Sequence, residues 1–440
     1  MNWDWRLAVT RTAVCVSLLV LPLWLGAQTT STIQGTVTDP QGLPLPGVEV
    51  EVNNRALSVE RTATTDARGF YRVTALPPGT YTVTATRTGF AVRSYENLAV
   101  VLNRVLTFDI AMEVGAVEQQ ITVEAAVPLL EPNTSDTGTT IVPQQIVEMP
   151  LNGRNYLDLM QLVPGVAINR QADEGTDSST PVLGERGGNT IFLIDGMPNR
   201  DEFGGGPAAQ FNQDTIQEFE VLTTGFKAEF GHGSGGIVNV ITKSGTNDWH
   251  GSAFLFHRNN ALDRNNSLDA TVTDAPFLLR WDYGVTLGGP IVKDKVFFFG
   301  SAERIRESRQ LNFAFVPGTP QLLQDFENNF NERTRTFQTR LFAKLDEQLG
   351  RHRLSQEINV TNGHVTDFLS LSQATSLPST RRSFDTRTTM LGFRDTALLG
   401  DQGNPFVLNL YLQYRDEPSQ ERPAHPEAGP ATSFNIILGH

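Results

Sequence analysis

From Trp249 onward the chain alternates apolar and polar residues over long runs, and this pattern limits its possible folds more than any other. Phe406, Leu408, Leu410, Leu412 and Tyr414 fall on one side of such a run, and Asn409, Tyr411, Gln413 and Arg415 on the other. Trp281, Tyr283, Val285 and Leu287 repeat the apolar side, while Leu341, Ala343 and Leu345 alternate with Arg340, Lys344 and Asp346. A period of two belongs to a strand, because successive side chains leave opposite faces of a sheet. The pattern predicts strands near 249–258, 279–289, 295–306, 334–346, 352–362, 384–398 and 405–416. Their connections alternate between long (259–278, 307–333, 363–383) and short (290–294, 347–351, 399–404). A large soluble antiparallel sheet has the same strand period. Short turns alternating with longer loops are the rhythm of an outer-membrane barrel.

Composition and the amino end narrow the class. The 440 residues leave room for two or three domains, and a formal net charge of -13 argues against a nucleic-acid partner, which calls for a basic patch. No stretch after the amino end approaches the ~18 consecutive apolar residues of a helical membrane protein. Residues 1–27 carry Arg6 and Arg11, an apolar run from Ala13 to Leu25, and Gly26-Ala27 before Gln28, the order of a cleaved secretory signal. The run is too short for the ~20 residues of a spanning helix. Cys15, the only cysteine, lies inside that signal, so the mature chain has neither a disulfide nor a cysteine metal site.

Residues 31–113 give short runs at Ile33–Thr38, Val48–Val52, Leu57–Thr64, Phe70–Thr74, Tyr81–Thr86, Leu98–Leu102 and Val105–Met112, separated by Pro- and Gly-rich turns. Six or seven such strands predict a small β-sandwich of transthyretin or immunoglobulin type. Val48, Val50 and Val52 share one face, as do Tyr81, Val83 and Ala85. Residues 128–245 read as a separate α+β domain. A helical turn is expected from Pro143 to Met149, and a helix from Asn155 to Val163 with Tyr156, Leu159, Met160 and Val163 on its core face, stopped by Pro164-Gly165. Gln171–Thr180 is a loop, either merely mobile or substrate-facing. Ile191–Ile194 is a buried strand, and Asp195-Gly196 is a hairpin signal in which Asp195 is a turn residue and not an acid catalyst. A helix or turn over Thr215–Phe219 precedes strands at Glu220–Thr224 and Ile237–Thr242. Gly231–Gly236 satisfies G-x-G-x-x-G, but a strand follows where a dinucleotide fold needs a helix, so these glycines are read as close backbone approaches. The sequence holds no His-Glu-x-x-His and no local metal-ligand cluster.

Several of these stretches resemble known domains. Gly35-Thr36-Val37-Thr38-Asp39, Thr65–Tyr71 and Leu76–Tyr81 resemble the carboxypeptidase-regulatory-like module. Ile216–Phe219, Ala228–Gly231, Val238–Asn247 and His250-Gly251-Ser252 resemble the end of the plug in TonB-dependent outer-membrane receptors of the Oar-like branch. Arg186–Asn189, Ile191–Asn199 and Gly288–Ile291 resemble further parts of the same family. The resemblance implies a mainly β chain made of a sandwich (31–113), a linker (114–127), a plug (128–245) and the first strands of an incomplete antiparallel transmembrane β-barrel (246–440). It implies Arg186, Asp195, Gly196, Glu218, Phe219, Glu229, Gly231, Gly236, Lys243 and Gly245 as plug motif residues of structural role. Ile121, Thr122, Val123 and Glu124 resemble a TonB box, against the plainer reading of a last strand or linker. A TonB-type energy-transducing protein, outer-membrane lipid and an external substrate are the implied partners, with no cofactor and no enzymatic step.

Seven strands are odd in number, and a plugged transporter barrel has about 22, so closure needs on the order of 350 further residues. The expectation is the amino-terminal part of a longer receptor whose sandwich lies in the periplasm. The competing expectation is an outer-membrane-anchored adhesion or carbohydrate-binding protein acting through the sandwich. A siderophore, a glycan and a peptide all remain open as substrate.

Overall fold

The computed structural model describes residues 30–115, 120–124, 137–149, 151, 154–167, 182–185, 187–201, 206–226, 230, 233–262, 277–310, 318–330, 332–368, 379, 381–400 and 406–424. The expected signal peptide and the loop 171–180 lie outside them.

The amino-terminal strands are β1 (Ser31–Thr38), β2 (Glu49–Asn54), β3 (Val59–Thr64), β4 (Phe70–Leu76), β5 (Gly79–Thr86), β6 (Val92–Val100), β7 (Val105–Thr107), β8 (Ile110–Ala111) and β9 (Gln120–Glu124). They form two sheets, one ordered β4-β1-β7 with β8 also on β1, the other β3-β2-β5-β6-β9. Val48, Val50, Val52, Tyr81, Val83 and Ala85 all point into the core between them, which is the half-buried face that the alternation predicts. Two expectations change. The run Val105–Met112 divides into β7 and β8, because Asp109 turns aside to accept hydrogen bonds from the Thr36 amide and hydroxyl. β6 also begins at Val92, ahead of the expected Leu98, through a polar stretch that holds its place by pairing with β5. β9 is the last strand of its sheet and runs parallel to β6, with Ile121 opposite Arg93 and Val123 opposite Tyr95.

The second domain has one five-stranded sheet, built from β10 (Thr137–Ile141), β11 (Ile191–Ile194), β12 (Met197–Pro198), β13 (Ile216–Thr224) and β14 (Ile237–Thr242) in the order β10-β13-β14-β11-β12. Helix α1 (Pro143–Glu148) follows β10. Tyr156–Leu162 is a 3-10 helix and not the expected α-helix: Asn155 caps it through a side-chain bond from the Leu157 amide, and Val163 donates to the Met160 carbonyl three residues back. Its Tyr156, Leu159, Met160 and Val163 are buried as expected. The helical turn near residue 215 lies earlier than expected, at Gln213–Thr215, and the strand it precedes begins at Ile216.

The third domain is one sheet in strict sequence order, β15 (His250–Asn259), β16 (Leu278–Val292), β17 (Val296–Arg309), β18 (Thr334–Leu349), β19 (His352–Phe368), β20 (Arg382–Leu399) and β21 (Phe406–Asp416). Helix α2 (Gln321–Asn328) lies in the long connection between β17 and β18. An eighth strand beyond the seven expected, β22 (Ser419–Pro423), also pairs with β20. The sheet stays open among the described residues, as an incomplete barrel. Its two faces are inverted relative to a soluble protein. Tyr283, Val285, Leu287, Leu341, Leu391, Leu408 and Leu412 stand exposed on one face, while Asp282, Glu303, Lys344, Asp346 and Glu357 are buried on the other. An apolar exterior around a polar interior is the pattern of a sheet whose outer solvent is lipid.

Candidate functional site

The plug sheet rests on that polar inner face, and the contact centres on Asp195. Asp195 and Gly196 close the β11–β12 hairpin with φ of 48° and 83°, the two left-handed positions of a type I′ turn, which suit Asp followed by Gly. The turn directs the carboxylate at the wall. Lys344 of β18 donates to its Oδ2 at 3.0 Å and to the Thr242 hydroxyl at 2.9 Å. The Thr242 amide donates to Oδ1 at 3.3 Å, and its hydroxyl donates to Oδ2. Arg394 of β20 donates to the Asp195 carbonyl at 3.1 Å. Asp195 and Lys344 are 1% and 3% exposed, so this ion pair lies out of water. Burial opposes the carboxylate, but Lys344 and then Arg394 outweigh it and hold the Asp195 carboxyl down at about 2.

Other contacts seat the plug along the same wall. Arg340 donates to the Gln210 side chain at 2.7 Å, the Thr215 and Ser301 hydroxyls share a bond of 2.7 Å, and Phe211 meets Phe342 edge-on. Arg154, paired with Asp214 at 3.1 Å, lies over the Phe254 and Phe256 rings of β15. The plug core and the wall residues Phe299, Phe342 and Met390 form one apolar cluster.

The sandwich docks on both neighbours. The Leu102 amide donates to Glu218 Oε1 at 2.6 Å, and Arg104 pairs with Glu220 at 3.5 Å. Asn247 donates through its side chain to the Arg55 carbonyl, to Ser58 Oγ and to Asp294, which lies in the short β16–β17 turn. Burial, opposed by the Leu102 amide and aided by Glu220, pushes the Glu218 carboxyl up to about 8.

The residues singled out from the sequence therefore take different places. Asp195, Gly196 and Lys243 converge near the plug–wall contact, Glu218 faces the sandwich, and Phe219 packs in the plug core against Tyr156. Gly236 and Gly245 mark close approaches: a Cβ would lie 2.7 Å from Val182 at Gly236 and 2.3 Å from the Phe298 carbonyl oxygen at Gly245. Arg186, Glu229 and Gly231 lie outside the described residues. The residues not singled out are those of the wall, Lys344, Arg394 and Arg340. Their signal was present as charges on the inward side of strands whose other side is apolar.

Three domain families match the chain in the same order. Residues 32–113 match the carboxypeptidase regulatory-like domain, 132–238 the TonB-dependent receptor plug domain, and 241–388 an outer membrane beta barrel domain. This series is the domain order of TonB-dependent receptors of the outer membrane. The chain is 28% identical to the TonB-dependent transporter Oar of Myxococcus xanthus over 313 residues, covering 67% of this chain and 29% of that protein. It is also 31% identical to the ferrienterobactin receptor of Escherichia coli over 131 residues, covering 26% of this chain and 17% of that receptor. The chain thus spans less than a third of the length of these relatives. Among solved structures, the outer membrane transporter YddB from Escherichia coli superposes with a TM-score of 0.47 at 12% identity, over 60% of this chain and 37% of that one.

Proposed function

We propose that the chain belongs to a transporter that binds an external substrate and admits it when a TonB-type partner, drawing on the inner membrane, remodels the plug. The observation that carries this reading is the seating of the plug against the polar inner wall through the buried Asp195–Lys344 pair. A buried pair is strongly unfavourable to leave half-broken, so such a contact favours two discrete states, seated and released. No bond is made or broken in this cycle, and the protein is read as a non-enzyme.

Ile121, Thr122, Val123 and Glu124 are proposed as the coupling segment. β9 ends its sheet, with β6 as its one neighbour among the described strands. An uncovered strand edge is where a partner adds a strand through main-chain hydrogen bonds. Ile121→Pro in the full receptor removes one main-chain donor. Loss of energy-dependent uptake with substrate binding intact is expected; unchanged uptake would refute the assignment of this segment. The adhesion reading is disfavoured by the docking of the sandwich at Asp294, in a short turn and away from the long loops. Protease treatment of intact cells separates the two readings, since surface display predicts cleavage within 31–113 and a periplasmic domain predicts protection.

A further inference from the structure

A cavity of about 470 Å³ lies where sandwich, plug and barrel wall meet. Arg61 reaches it from the sandwich, Lys243 from the plug, and Lys344, Arg353 and Arg394 from the wall. One carboxylate, Asp195, faces these five cations, and it is already engaged by Lys344. Asp346 and Glu357 stand nearby in the wall without lining the space.

The donors are incompletely satisfied. Arg61 Nε and Arg353 Nη1 are both buried without a hydrogen-bond partner. Burial, and after it the charge of Arg353, depresses the Arg61 pKa, so two guanidinium groups of like charge crowd one space. Water can satisfy their N–H groups but cannot balance the charge left over once Asp346 is set against Arg353. An oxyanion does both, because guanidinium groups bind phosphate-type oxygens through paired, charge-assisted bonds. At ~30 Å³ per water in the liquid, the volume suits a diphosphate-sized solute with its hydration and is too small for a folded segment.

We propose that this cavity is a binding site for a small phosphate-type oxyanion, with Arg61 and Arg353 as its principal donors. Because the donors belong to separate domains, the anion binds the docked arrangement and stabilises it by mass action. Phosphorylated solutes on this side of the membrane would then bias the protein toward its docked, seated state. The site stands independently of the transport reading, since it is a property of the docked domains.

The test is titration calorimetry of the full receptor, purified from outer membranes, with inorganic phosphate and pyrophosphate at constant ionic strength against chloride. Saturable binding is expected, tighter for pyrophosphate, and at least tenfold weaker in Arg61→Gln. Arg68→Gln, whose side chain is 83% exposed outside the cavity, should bind within twofold of the parent. Arg61→Gln also relieves the like-charge contact, so without anion its thermal midpoint should be unchanged or higher, which separates lost binding from lost folding. Arg353→Gln should repeat the loss; if that wall variant fails to assemble, Arg61→Gln decides alone. Absence of saturable binding of both anions, or equal binding by Arg61→Gln and the parent, overturns the proposal.

Discussion

The plug–wall contact predicts a specific pattern of hydrogen exchange. Lys344→Met leaves the Asp195 carboxylate buried without its ammonium partner, and Asp195→Asn leaves the ammonium without its carboxylate. Asn tolerates the left-handed φ of 48° at this turn, so the second change alters charge with little change of backbone. Breaking one side of a buried pair costs about 3–5 kcal/mol. Arg394 still stands 3.1 Å from the Asp195 carbonyl and supplies partial compensation, which places Lys344→Met near ~3 kcal/mol. At about 1.4 kcal/mol per tenfold, amides of Ile191–Ile194 and Ile237–Thr242 should exchange roughly a hundredfold faster. The double variant removes both charges and should recover most of the protection, because the penalty belongs to the unpaired partner. Single variants exchanging less than about threefold faster, or a double variant whose effects simply add, would refute the role assigned to the pair. The pH dependence has a definite sign. Asp195 falls from an ordinary 3.8 to about 2 in the folded chain, so its contribution is complete above about pH 4 and is lost as pH falls toward 2.

Glu218 predicts the opposite pH trend at the sandwich–plug junction. Its folded pKa of about 8 against an ordinary 4.5 makes docking firmest below pH 4.5 and weaker as pH rises through 8. Glu218→Gln should flatten that profile, read by energy transfer between labels on the two domains; a profile unchanged by the substitution would exclude Glu218 as its source. Gly245→Ala places a Cβ 2.3 Å from the Phe298 carbonyl oxygen, against backbone that cannot yield, and should reduce the heat-modifiable, assembled fraction on gels. Normal assembly would show that the plug–barrel junction has slack there. Leu341→Arg puts a charge on the lipid-facing side of β18, at a cost of roughly 2–4 kcal/mol near the bilayer midplane. It should lower outer-membrane yield, whereas Thr336→Arg on the inner side should not; equal yields would argue against lipid on that face.

What the sequence conveyed follows from the range of each interaction. Period-two alternation survives in any strand with two different solvents, so Val48, Val50 and Val52, and the Trp281–Leu287 face, were legible from spacing alone. The Asp195-Gly196 turn was legible because its φ demands are local. The 3-10 geometry of Tyr156–Leu162 was not, since its apolar spacing is also that of an α-helix and the cap at Asn155 decides between them. β6 was partly hidden because Arg93, Ser94, Glu96 and Asn97 carry no apolar alternation, and its place is set by its neighbour β5. Asp195 and Lys344 lie 149 residues apart. Local pattern makes one a turn residue and the other a polar strand residue, and only the packing of plug on wall makes them a pair.

On the proposed reading, the connectivity also bears on how force would reach that pair. A pull on Ile121–Glu124 loads β9, whose one strand neighbour among the described residues is β6. Residues just after β6 hold the plug, through Leu102 on Glu218 and Arg104 on Glu220, both on β13. β13 is paired to β14, β14 to β11, and β11 ends in the turn that carries Asp195. Strand ladders loaded along their length share the load over several hydrogen bonds. The sandwich–plug joint and the plug–wall contact are instead made through side chains, and the Asp195–Lys344 pair is one of several contacts that seat the plug. The load would therefore open such side-chain contacts before it unravels the sheet, which leaves the plug folded as it moves. Locking β9 to β6 by a disulfide between Arg93→Cys and Ile121→Cys should then preserve force transfer, while a disulfide between Thr215→Cys and Ser301→Cys, whose hydroxyls share a bond of 2.7 Å across the plug–wall contact, should abolish uptake. Uptake that persists with the second disulfide formed would exclude the plug–wall contact as the release point.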